Sequence, residues 1–74
     1  MTKIELGLKL KEMYDNALKG EKVAMIHLFG IKYSEQIKEC QASFQDIAVA
    51  AGLDKPYGTE ISKGSKLSKY VKVK

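Results

Sequence analysis

Apolar side chains recur along this chain at helical spacing. Leu6, Leu10, Met13, Tyr14, Ala17 and Leu18 form one such stripe, which predicts an amphipathic first helix. Thr2 and Glu5 stand in the S/T-x-x-E spacing of a capping box at its start. Lys19 would lie in its last turn and Gly20 would supply the left-handed stop, with Gly7 as a weak point near the start. The next run, Glu21 to Phe29, is apolar nearly all round through Val23, Ala24, Met25, Ile26, Leu28 and Phe29. It predicts a central buried helix that Gly30 ends. Ile31-Lys32-Tyr33 reads as a link, and Ser34 as the cap of a short helix ending near Cys40.

Ser43 opens a further helix, with Asp46 as a short capping partner. Phe44, Ile47, Ala48 and Ala51 share its inner face, and Gly52-Leu53 closes it. Pro56 suits the first turn of the following helix, which would run to about Lys63 and stop at Gly64. Leu67 to Lys74 mixes β-branched, aromatic and lysine residues in partial alternation, which predicts a short C-terminal strand or wing. The expected fold is mainly α: one compact domain over residues 1–74, with four to five helices.

The segment from Ser43 to Lys63 has the rhythm of a helix-turn-helix. Ala48 is small where two helices must cross closely, and Gly52, four residues later, can take positive φ in the turn. Leu53 can plug the core after the turn, and Ile61 can face inward from the second helix. Gly58 departs from the pattern, because a branched apolar residue is usual there. A glycine there lets a backbone come close, either the chain's own or that of a ligand.

Charge changes the picture. The 74 residues carry 13 lysines and no arginine against 9 acids, a net of +4. Residues 1–54 sum to −1, whereas residues 55–74 sum to +5, with Glu60 as their single acid. Such asymmetry suits a polyanion partner; a solvated lysine-rich tail is the plainer reading. No apolar run reaches the roughly 18 residues of a membrane span. The first residues lack the pattern of a secretory signal, and a single cysteine excludes an internal disulfide. A cytoplasmic location is expected.

Beyond this rhythm, the chain resembles the small bacterial helix-turn-helix-like domain proteins. The likeness rests on Met25-Ile26-His27-Leu28-Phe29-Gly30-Ile31-Lys32-Tyr33, on Ala50-Ala51-Gly52-Leu53, on Tyr57-Gly58-Thr59-Glu60-Ile61-Ser62-Lys63-Gly64, and on Leu67 with Lys69-Tyr70-Val71. It covers nearly the whole chain. By fold analogy it implies double-stranded DNA binding and a regulatory role.

In that reading the helix near 56–63 enters the major groove. Tyr57, Thr59 and Lys63 are the candidates for base edges, and Lys55, Lys66, Lys69 and Lys72 for phosphates, with Ser62 and Ser65 adding neutral bonds. Without arginine, the bidentate reader of guanine is missing. The expectation is therefore salt-sensitive binding of modest specificity through about 4–6 phosphate contacts. A second class of function keeps the fold without DNA: a protein-interaction module or homodimer, using the first helix or the edge of the C-terminal strand. RNA binding by the same basic surface is a related alternative, but no ribonucleoprotein-type aromatic motif is present.

An enzyme is not expected. His27 and Cys40 are the only His and Cys, and each reads as a packed helix residue more readily than as a ligand or nucleophile. No phosphate-cradling glycine loop occurs, so no cofactor and no small-molecule substrate is expected. Glu60 beside lysines reads as a surface ion pair. Tyr14 and Phe29 read as core aromatics, Tyr33 as a seal after the second helix, and Tyr70 as a ring packed on the core. Tyr57 reads either as an exposed contact residue or as a cap on the end of the core.

Overall fold

The helices are α1 (Lys3–Asp15), α2 (Lys22–Lys32), α3 (Ser34–Cys40), α4 (Phe44–Ala50) and α5 (Tyr57–Leu67). They belong to a computed structural model that describes residues 1–73. The α1 capping box forms as its spacing predicts: the Glu5 amide donates to Thr2 Oγ1 at 3.2 Å, and the Thr2 amide to Glu5 Oε1 at 2.9 Å. These bonds to Thr2 hold the Glu5 carboxyl below its ordinary range. At α4 the Asp46 amide donates to Ser43 Oγ at 3.0 Å.

Every helix sends side chains into one core. Leu6 and Leu10 come from α1, Ile26 and Phe29 from α2, Ile37 from α3, Ile47 and Ala48 from α4, and Ile61 from α5; Ala51 follows α4. Most of these are fully buried, so each leucine, isoleucine or phenylalanine contributes on the order of 1.5–3 kcal/mol of transfer free energy. The result measures 31 × 28 × 19 Å.

Several expectations are corrected. The first helix ends at Asp15, not at Lys19. The Tyr14 carbonyl accepts from the Ala17 amide at 3.2 Å and from the Lys22 ammonium at 3.2 Å, which turns the chain early. Leu18 is left in solvent. The second helix is amphipathic and not buried all round, because Val23 and Leu28 face outward. It also runs through Gly30 to Lys32. Tyr33 and not Ser34 stands at the head of α3; its amide closes α2 on Phe29 and its carbonyl accepts the Ile37 amide, both at 2.9 Å. Its ring lies 5.2 Å from that of Phe29.

Gly64 likewise does not stop α5, which continues to Leu67. The two misread glycines share one cause. A Cβ on Gly30 would come within 2.5 Å of the Ile61 carbonyl oxygen, and one on Gly64 would overlap the His27 carbonyl. Both glycines therefore lie inside helices, where they let the α2 and α5 backbones touch. These two helices share the most extensive interhelical contact of the fold.

No strand forms among the described residues. Where Leu67 to Val73 is expected to extend, Leu67 ends α5 and one further turn runs to Tyr70: the Tyr70 amide donates to the Leu67 carbonyl at 2.9 Å and the Val71 amide to the same oxygen at 3.1 Å. Tyr70 is exposed and does not pack on the core. Lys74, the last residue of the expected strand, lies outside the described residues.

Candidate nucleic-acid interface

The turn after α4 is built as the sequence requires. Gly52 has φ +82°. The Leu53 amide donates to the Ala48 carbonyl and the Gly52 amide to the Val49 carbonyl, each at 2.9 Å. This pair of bonds is a Schellman stop, and it turns Leu53 against the core. Pro56 then enters with φ −56° and ψ −24°, already helical, and its missing N–H costs nothing at a helix start.

The crossing of α4 and α5 resolves the question of Gly58. A Cβ there would meet the backbone nitrogen of Gln45 at 2.8 Å. The backbone that approaches Gly58 is the chain's own, and the glycine lets α5 sit close on the first turn of α4. A shallow depression of about 350 Å³ opens beside this crossing, lined by Ser43, Phe44, Gln45, Thr59 and Ser62 among others.

The buried residues Gly58, Ile61 and Gly64 set the inner side of α5. Thr59, Lys63 and Lys66 are all exposed, and their i, i+4, i+7 spacing puts them on one outward stripe. Lys55 is exposed just before the helix, and Lys69 just after it. Ser62 is half-buried on the α4 flank, at the rim of the depression.

The other candidates stand elsewhere. Tyr57 is half-buried and packs against the core, with its ring edge-on to Tyr14 at 6.1 Å and 75°. Of its two expected roles, this is the cap on the core. Ser65 is half-buried on the α2 side, next to Gly30, and its carbonyl accepts from the Ser68 hydroxyl at 2.5 Å. Lys72 borders a second depression of about 310 Å³ with Lys32, Ser34 and Glu35, where α2 meets α3.

One relationship was not legible in the sequence. The half-buried imidazole of His27 on α2 and the Glu60 carboxylate on α5 meet at 2.6 Å. A carboxylate only accepts, so the imidazole donates through Nε2–H. Lys63 donates to the other carboxylate oxygen at 3.3 Å. The bonds from His27 and then Lys63 hold the Glu60 carboxyl below its ordinary range. A spacing of 33 residues hides the first pair from any local pattern. The second is an ordinary i, i+3 helix pair.

The sulfur of Cys40 donates weakly to the Ile37 carbonyl at 3.3 Å. No group of three or more His, Cys, Asp or Glu among the described residues is placed to hold a metal. No helix among them is long and apolar enough to cross a membrane.

A family model described as HTH-like domain matches residues 2–74. The chain belongs to that HTH-like domain family. The match spans the described core from the Thr2 cap onward, so the Schellman turn, the α4–α5 crossing and the outward stripe all lie inside the HTH-like domain. Comparison with curated proteins and with solved structures gives no match.

Proposed function

We propose that this HTH-like domain binds double-stranded DNA and has a regulatory role, with α5 in the major groove. The observation that carries the reading is the outward stripe of Thr59, Lys63 and Lys66, directly opposite the buried Gly58, Ile61 and Gly64. An α-helix fits a major groove about 12 Å wide, and this stripe meets it with polar and cationic groups only. In this reading Thr59 and Lys63 reach base edges, and Ser62 adds a neutral bond from the α4 flank. Lys55, Lys66 and Lys69 neutralise phosphates at both ends of the helix.

An NMR titration of labelled protein with random-sequence duplex tests this reading at low and at physiological salt. Amide shifts confined to residues 55–72, weakening as salt rises, are the expected result. No shift at low salt overturns it.

One observation favours a second reading, a protein-interaction module. Ile4 and Leu8 are 60% and 61% exposed and lie one turn apart on the outer side of α1. Sedimentation at rising concentration would expose self-association through that side.

A further inference from the structure

Tyr70 is 82% exposed, more than any other large hydrophobic side chain described. Its ring has neither an aromatic nor an ammonium partner among the described residues. It is also surrounded in sequence by one sign of charge, since Lys66, Lys69 and Lys72 flank it and no acid follows Glu60.

Its position is not random with respect to α5. Ser68 keeps helical angles, φ −60° and ψ −18°, and the Val71 amide bonds the Leu67 carbonyl in the i→i+4 manner. A single turn therefore follows α5, and Tyr70 lies in it. Thr59, Lys63 and Lys66 follow as i, i+4 and i+7 along α5, and Tyr70 comes three residues beyond Leu67, the last residue of that helix. An exposed aromatic ring thus stands just past the end of the helix that carries the lysines.

A partner that covers this ring must accept the lysines next to it in the chain and offer a flat apolar face. An acidic protein surface supplies the charge, but a flat face only where an aromatic ring or a proline lies exposed beside it. A nucleic acid supplies both, since every base has a π-face and every linkage a phosphate. Within a duplex the base faces are already stacked on one another, so away from the terminal pair a ring meets a free face only at an unpaired nucleotide. We propose that Tyr70 stacks on an unpaired base of a DNA strand that continues beyond the duplex held by α5. The ligand is then a duplex with a single-stranded extension. This inference rests on the DNA-binding reading given above.

The experiment measures fluorescence anisotropy of full-length protein on two labelled probes, a blunt duplex and the same duplex with a thymine overhang. Wild type should bind the overhang probe about tenfold more tightly, in line with one base–aromatic stack. Tyr70→Phe should keep that preference, because the ring makes the contact. Tyr70→Ala should lose it while binding the blunt duplex as wild type does, with an unchanged melting curve, because the side chain is exposed. Equal affinity of wild type for both probes, or a preference that survives Tyr70→Ala, overturns the Tyr70 contact and leaves the duplex reading standing. Failure of both probes to bind at low salt overturns both.

Discussion

His27 on α2 and Glu60 on α5 meet at 2.6 Å, and the same carboxylate reaches Lys63 on the exposed stripe. Glu60 therefore joins the packing of two helices to the charge of the candidate interface. Its folded carboxyl lies below the ordinary 4.5. The stabilisation is then complete above that ordinary value and is lost as pH falls through the lowered folded one. Wild type should exceed Glu60→Gln in stability at neutral pH, and the gap should close in acid. Urea midpoints at a series of pH values measure it, and a gap that stays constant into acid contradicts the assignment. The same substitution releases Lys63 from its partner. Under the DNA reading, Glu60→Gln should tighten duplex binding by about two- to fivefold, the scale of a surface ion pair.

The α2–α5 contact depends on the absence of side chains at Gly30 and Gly64. Gly64→Ala should destabilise by about 1–3 kcal/mol or more, since a Cβ must displace backbone and not a flexible side chain. Gly20 offers a control: it has φ +83° and open space around it. Gly20→Ala should cost only the left-handed penalty, about 1–2 kcal/mol. Denaturant unfolding of the two variants separates overlap from conformation. A Gly64→Ala protein as stable as wild type argues against the close crossing.

Tyr57 and Lys55 should part company under mutation. Tyr57 packs edge-on against Tyr14 over the core. Tyr57→Ala should lower stability by about 1–3 kcal/mol. Lys55 is exposed, and Lys55→Ala should stay within about 0.5 kcal/mol of wild type. Thermal melts decide, and an unperturbed Tyr57→Ala would return that ring to the pool of free contact residues.

The exposed stripe should control salt sensitivity. Replacing Lys63 and Lys66 with Glu should abolish duplex binding while leaving the helical circular dichroism intact, because both side chains are exposed. Lys66→Ala alone should reduce the slope of log affinity against log salt by about 1, the counterions of one phosphate contact. Unchanged binding in the double variant removes α5 from the interface.

Much of this arrangement was legible locally. The Thr2–Glu5 capping box, the Ser43 cap, the positive φ of Gly52 and the inward Ile47, Ala48 and Ile61 all follow from spacings within one or two turns. Glycine misled wherever its neighbour lay on another helix. Gly30 and Gly64 read as stops because a local pattern cannot distinguish a glycine that ends a helix from one that admits a second helix. The Leu67–Val73 segment misled in another way. Its β-branched and aromatic content favours a strand, but a strand needs a partner to take its backbone hydrogen bonds. None is present among the described residues, and bonds from Tyr70 and Val71 to Leu67 prolong the helical turn.

What the sequence determined by itself is the presence of the helices, the caps at Thr2 and Ser43, the turn between α4 and α5, and the gathering of positive charge after residue 54. Each depends on residues near in the chain, where propensity, capping and periodicity act. Only the tertiary structure decided which glycines are contacts, which tyrosine is covered and which is bare, and that His27 holds Glu60 beside Lys63. Those outcomes depend on side chains brought together from distant positions, and their energies exist only after the helices have packed.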